Sequence, residues 1–280
     1  MSVSVPLRLR PLEVGDLLDE TFRMYRRHFL LFAGIAVILA IPAAALYGLA
    51  LAWFTTGLQQ AAGSSDLGLL TGFLAAFGAA AVVSILILPF THGAITYAAC
   101  ESALGRPVTA SGIFIGVLRR YFPLLGYWIL FNTFTASIAL LLCLAPFAFW
   151  IWVFVMWIAV TLAMFVENIG LAAAITRSRQ LVHGRWWRTF LILFLTFVVY
   201  EVVGIALGGF IQLGQALLTI IVSPFVATAI TLAAGQLVGA LVTPIVQIVI
   251  VLVYFDLRVR REALDLFQMA YRLAAPPAAI

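Results

Sequence analysis

Long runs of residues without a charge limit what this chain can fold into. The 46 residues from Tyr121 to Val166 carry no charge, and the run from Thr189 to Phe255 is interrupted by Glu201 alone. A transmembrane strand needs about 10 residues and a transmembrane helix about 20, so these runs indicate membrane-spanning helices. The chain is 65% hydrophobic and 10% charged, whereas soluble domains are about half apolar and a quarter charged. The sequence therefore predicts an all-α, multi-pass membrane protein.

The uncharged runs divide into six predicted spans within a single membrane domain that covers residues 1–280. The run from Tyr121 to Val166 has room for two helices of about 20 residues joined by a turn near Pro146. The run from Thr189 to Phe255 has room for two spans with a long connection, or for three spans without one. With two spans in that run, the approximate spans are residues 29–54, 70–98, 122–143, 147–166, 189–211 and 231–255.

The positions of the arginines decide between six spans and seven. All sixteen basic residues are arginine, which indicates a GC-rich bacterial genome, and with six spans all sixteen fall on one side of the membrane. A seventh span would move the arginines of the C-terminal tail to the opposite side. Because arginine is retained on the cytoplasmic side, we expect six spans and cytoplasmic termini in a bacterial cytoplasmic membrane. The surplus around Leu217–Ile230 then becomes an interfacial or re-entrant segment at the outer face.

The same short motif precedes three of the predicted spans. It is MYRRHF at residues 24–29, VLRRYF at residues 117–122 and RWWRTF at residues 185–190, always with an arginine two residues before the phenylalanine. Arginine reaches lipid phosphates and aromatic rings lie at headgroup depth, so the motif predicts where a helix enters the bilayer. An acid follows the second span of each pair, which predicts ion pairs at the cytoplasmic surface. The anchoring and pairing residues are Arg27, Arg120, Arg188, Glu101, Glu167 and Asp256.

A segment with helical periodicity precedes each pair of spans. Near the N-terminus, apolar residues recur at steps of three or four, with acids early and arginines late: Val14, Leu18, Phe22, Tyr25 and Phe29. This pattern predicts an amphipathic helix on the inner leaflet. Such helices are predicted near residues 12–28, 109–120 and 168–182. The predicted fold is thus a polytopic membrane helix bundle of three hairpins, each preceded by a cytoplasmic amphipathic surface helix.

Four stretches along the chain resemble one known family. They are LRPLEVGDLLDETFRMYRRHF, HGAITYAACESALGRP, ENIGLAAAITRSRQLVHGRWWR and VYFDLRVRREALDL. In this order they are similar to the bacterial glycerophosphoryl-diester-phosphodiesterase membrane-domain family of integral membrane proteins. The resemblance implies a six-span domain of uncharacterised role, with no catalytic residues. The phosphodiesterase barrel that is sometimes fused to that domain needs about 250 further residues, so we expect the enzymatic name not to apply here.

The sequence lacks G-x-S-x-G, H-E-x-x-H and phosphate-loop patterns, so we expect no enzyme, no cofactor and no metal site. The most informative polar residue is Glu201, which lies thirteen residues after Arg188, or about 20 Å along a helix. An ionisable side chain at that depth must be protonated, paired or hydrated, which makes it a candidate functional residue. Polar residues at comparable depth complete a candidate intramembrane site of Glu201, His92, Asn132 and Gln247.

Two roles for Glu201 and three classes of function stay open. Glu201 either belongs to a working polar site or is a protonated or shallow residue that holds helices together. The repeated arginine motif favours a structural, assembly or lipid-organising protein that contacts anionic headgroups and membrane-protein partners. A small-solute or ion transporter or channel would use the polar site around Glu201. A lipid enzyme would need acids that arginines do not neutralise, and no basic soluble module indicates nucleic acid.

Overall fold

The computed structural model of the chain describes residues 13–60, 67–141 and 144–262. Every regular element in these ranges is an α-helix, which confirms the all-α class. Five helical stretches are long and apolar enough to cross a membrane, and a sixth results if one bent pair of helices is counted as a single span. The helices are α1 Val14–Arg27, α2 Phe29–Gln60, α3 Leu67–Ala103, α4 Ala110–Leu118, α5 Tyr121–Leu141, α6 Leu144–Met156, α7 Val160–Val166, α8 Leu171–Val182, α9 Trp186–Ile221 and α10 Pro224–Glu262.

The longest helices exceed the predicted spans. α9 has 36 residues and α10 has 39. At 1.5 Å per residue they are about 54 and 58 Å long, against about 30 Å for a hydrocarbon core. The predicted interfacial or re-entrant segment at Leu217–Ile230 has no element of its own, because α9 continues through Ile221 and α10 begins at Pro224. Proline cannot supply an amide hydrogen to the preceding helix but suits the first position of a new one, so the chain reverses there.

The fourth predicted span, residues 147–166, is interrupted near its middle. α6 ends at Met156 and α7 begins at Val160. Ser178 of α8 fills the break, because its hydroxyl donates to the carbonyl of Met156 at 2.7 Å and accepts from the amide of Ala159 at 3.2 Å. A buried backbone group without a partner costs about as much as a lost hydrogen bond. Ser178 therefore stabilises the break by supplying hydrogen bonds to the carbonyl of Met156 and the amide of Ala159.

Three short helices, α1, α4 and α8, lie near the residues where surface helices were predicted; residue 12 lies outside the described residues. α1 is packed on the bundle, since Leu17 and Met24 are buried and the Tyr25 hydroxyl donates to the carbonyl of Leu241 at 2.7 Å. Phe22, which belongs to the predicted apolar stripe, is 36% exposed. The stripe that α1 buries against α10 is thus shifted round the helix from the one that the sequence pattern predicts.

α10 is the central helix of the described bundle. It packs along α2 and α9, and α2 packs in turn along α3. The most fully buried large side chains, among them Phe32, Leu252 and Tyr254, cluster near one end of these helices, where α1, α4 and α8 also lie. We call this the arginine-rich end, because it holds the arginines of α1, α8 and the C-terminal part of α10 and those between α4 and α5.

Candidate functional site

A partly open cavity of about 160 Å³ lies between α2, α3, α9 and α10. Its wall on α2 is formed by alanine and leucine side chains, whereas polar groups come from the other three helices. The polar residues that line it are Thr91, His92, Tyr200, Gln236 and Thr243. A largely apolar concavity with a few polar groups is the usual form of a small-molecule site in proteins.

A chain of hydrogen bonds fixes the orientation of His92 at this cavity. The Thr96 hydroxyl donates to Oε1 of Gln247 at 3.0 Å, which leaves the Gln247 amide nitrogen as a donor. That nitrogen lies 2.6 Å from Nδ1 of His92, so Nδ1 accepts and the imidazole proton is on Nε2. The Trp128 ring lies against the imidazole, with 5.0 Å between the ring centroids. His92 is therefore held in one tautomer by residues on α3, α5 and α10.

The structure brings together two of the four residues of the predicted intramembrane site, His92 and Gln247. Asn132 is exposed and donates to the carbonyl of Trp128 on its own helix at 2.8 Å. Glu201 is also exposed, and its side chain has no hydrogen bond or ion pair within the described ranges. Because successive residues of a helix are rotated by about 100°, Glu201 faces outward while the preceding residue, Tyr200, lines the cavity.

A second polar site, at the arginine-rich end, joins α7, α8 and α10. Glu167 accepts hydrogen bonds from Nε of Arg177 at 2.9 and 2.8 Å and from the Tyr254 hydroxyl at 2.9 Å. Arg177 also binds Glu262, and Arg258 contacts both acids, at 2.8 Å from Glu262 and 3.9 Å from Glu167. Two acids and two arginines thus neutralise one another where three helices meet, which is the arrangement of a structural ion-pair network.

Among the other predicted ion-pair residues, Arg188 and Asp256 form a pair in which the arginine precedes one span and the acid follows the next. Arg188 lies 3.3 Å from the carboxylate of Asp256, which also accepts from Arg260 at 2.9 Å. Glu101 instead binds Arg106, at 3.3 Å, because the chain turns back directly after α3. Arg27 is the last residue of α1, and Arg120 lies at the 67° bend between α4 and α5.

Three groups near the arginine-rich end have shifted pKa values. Burial alone would lower the pKa of Arg177, but its hydrogen bonds to Glu167 and Glu262 outweigh burial and raise it. Burial, followed by the charge of Arg27, lowers the pKa of His28 and so disfavours its protonated form. Burial raises the pKa of Tyr25, whose phenol donates to the carbonyl of Leu241.

No group of three or more histidine, cysteine or acidic residues in the described ranges is placed to hold a metal ion. No family model, curated protein or solved structure matches the chain. The resemblance to the glycerophosphoryl-diester-phosphodiesterase membrane-domain family therefore stays a prediction.

Proposed function

We propose that the chain is an integral membrane protein that organises anionic lipids, and through them partner proteins, at its arginine-rich end. The observation that carries this proposal is that acids at this end are paired with arginines while further arginines there are exposed. Glu101, Glu167, Asp256 and Glu262 are each bound by an arginine. Arg26, Arg119 and Arg179 are exposed, which leaves positive charge directed outward.

Exposed aromatic rings accompany the exposed arginines. The Phe122 side chain, next to the bend between α4 and α5, is 80% exposed, and the Trp187 side chain at the start of α9 is 76% exposed. Aromatic rings prefer the level of lipid headgroups, where arginine binds phosphate. The acids of α1 lie in its first half, about a turn or more from Arg26. Exposed arginines beside exposed aromatic rings support a surface that binds lipid phosphates, rather than a surface that contacts only the lipid tails.

Charge removal at this surface is expected to reduce the preference for anionic lipid. Each basic residue near an anionic surface contributes about 1 kcal/mol, so Arg26→Gln combined with Arg119→Gln should lower the preference about tenfold or more. The preference is the ratio of binding constants for phosphatidylglycerol and phosphatidylcholine, measured from quenching of tryptophan fluorescence by brominated forms of each lipid in reconstituted vesicles.

The matched control keeps the charge and changes only the side chain, with lysine at positions 26 and 119. This variant should retain most of the preference, because lysine also attracts phosphate. An unchanged preference in the glutamine variant would contradict the proposal. An equal loss in both variants would show that the geometry of arginine, rather than its charge, is required.

The orientation that this role requires predicts that both termini lie in the cytoplasm. In a chain with Cys100 and Cys143 replaced by serine, single cysteines at Ser4 and Ser223 would be treated with an impermeant maleimide in intact cells. We expect labelling at position 223, in the turn between α9 and α10, and none at position 4 until the membrane is permeabilised. A tail cysteine at Ala279 should behave like position 4; labelling from outside would indicate an odd number of spans.

A second candidate function, a transporter or channel for a small solute, is supported by the cavity between α2, α3, α9 and α10. The outward-facing Glu201 does not contribute to that support. Glu201→Ala should therefore leave any transport activity intact, whereas a site built on Glu201 would lose it. The flux of candidate solutes into proteoliposomes, measured with the unchanged chain and with Glu201→Ala, distinguishes these two possibilities.

A further inference from the structure

Two of the hydrogen-bond donors at the cavity, on His92 and Tyr200, have no partner among the described side chains and backbone groups. Because Nδ1 of His92 accepts from Gln247, the proton of His92 is on Nε2, and His92 lines the cavity. The Tyr200 hydroxyl lines it as well, 4.0 Å from where a Cβ on Gly239 would lie. Neither group has another hydrogen bond within the described part of the chain. Donors that face a concavity without a protein partner indicate a ligand with acceptor atoms.

The remaining lining of the cavity excludes a charged occupant. No charged side chain lines it, and its wall on α2 is apolar. The hydroxyls of Thr91 and Thr243 donate to carbonyls of their own helices, at 3.1 and 3.0 Å, so they offer only acceptor oxygens. Burying an unpaired ion in such surroundings costs many kcal/mol. The occupant is therefore uncharged and soluble in lipid.

The volume of the cavity sets the size of the occupant. An engineered cavity of about 150 Å³ holds benzene, and this one has about 160 Å³ and is partly open. A single ring fits, and substituents can leave through the open side.

We propose that this cavity binds an uncharged, lipid-soluble molecule of about one substituted ring that presents carbonyl oxygens, with His92 Nε2–H and the Tyr200 hydroxyl as donors. The headgroup of a quinone has this chemistry. The inference goes beyond the proposed lipid-organising function and does not depend on it, since the arginine-rich end and the cavity share no lining residue.

The test uses duroquinone, a ring with two carbonyl oxygens, and durene, the same methylated ring without them. The full chain, labelled with ¹⁵N-histidine, would be titrated in micelles while NMR follows the imidazole signals of His28, His92 and His183. We expect duroquinone to shift the His92 Nε2–H signal saturably and to leave the other two histidines unchanged. Durene should bind at least tenfold more weakly. No shift at His92, or an equal response to durene, would overturn the proposal.

Two variants separate recognition from folding. Tyr200→Phe removes only the hydroxyl and should weaken duroquinone about fivefold, whereas Tyr47→Phe, which lies outside the cavity lining, should not. Gly239→Leu fills the cavity and should abolish the His92 shift. If that variant does not fold, Ala40→Leu fills the opposite wall for the same comparison. The proposal would also be overturned if duroquinone binding were unchanged both in Tyr200→Phe and in a variant whose cavity is filled.

Discussion

The Arg177→Ala variant is expected to lose about 3 kcal/mol of unfolding free energy, because it leaves two acids short of their main partner. Arg177 binds Glu167 through Nε at 2.8 and 2.9 Å and also binds Glu262. The side chains of Arg177 and Glu167 are only 24% and 19% exposed, so water replaces the lost contacts poorly. Arg258 would remain, but its Nε lies 3.9 Å from Glu167. Unfolding of the purified protein in mixed micelles with rising dodecyl sulfate, followed by tryptophan fluorescence, measures the loss.

Arg106→Ala is the matched control for this prediction. Arg106 also pairs with an acid, Glu101, at 3.3 Å, but its side chain is 63% exposed. Exposed pairs contribute at most about 1 kcal/mol, so this variant should lose a third as much or less. Arg177→Lys should fall between the two, since an ammonium group cannot reproduce the planar geometry of the guanidinium. Equal losses in both alanine variants would contradict a structural role for the Arg177 network.

The presence and approximate places of the long apolar helices can be predicted from this sequence because they follow from charge, whereas α9 and α10 are longer than the predicted spans. An uncharged run long enough to cross a bilayer must pair its backbone groups internally, so it forms a helix whatever its neighbours are. Interruptions do not follow from the same rule. The break after Met156 depends on Ser178, a residue 22 positions away whose hydroxyl replaces helical hydrogen bonds. Nothing in the local pattern around Ser178 indicates that contact.

The candidate site was predicted only in part, because depth and direction have different origins. Depth follows from counting residues, and it placed His92, Gln247 and Glu201 at comparable levels. Direction round the helix axis depends on neighbours, and helices as uniformly apolar as α3 and α9 have no polar face that reveals it. One signal was present: Thr96 lies one turn after His92, on the same face of α3, where both meet Gln247.

The ion pairs show the same limit at the arginine-rich end. The acid after each predicted pair of spans lies near an arginine, as expected where charges collect at helix ends. Which arginine binds which acid depends on contacts between residues close in sequence, at turns and within one helix. Arg260 binds Asp256 four residues away, within one helix. Such i,i+4 pairs can be read from the sequence, whereas the contact of Tyr254 with Glu167 joins α10 to the residue after α7, 87 positions away.

The second large effect is expected where α2 crosses α10. A Cβ added at Gly48 would lie 2.8 Å from the carbonyl oxygen of Ala229 and 3.2 Å from the amide nitrogen of Ala233. Backbone atoms cannot rotate out of the way, so Gly48→Ala must separate the two helices. Small residues allow membrane helices to approach closely, and overpacking such a contact costs about 1–3 kcal/mol. We expect a loss of about 2 kcal/mol in the same micelle unfolding measurement.

Gly34→Ala supplies the control on the same helix. No atom lies within 4 Å of a Cβ at Gly34, so alanine meets no obstacle there and its higher helix propensity should leave stability unchanged or slightly raised. The two identical substitutions should thus differ in unfolding free energy by about 2 kcal/mol or more. Because Ala44, one turn before Gly48, lines the cavity, separation of α2 from α10 should also weaken duroquinone binding. If Gly48→Ala matched Gly34→Ala in both measurements, α2 and α10 would not meet at Gly48.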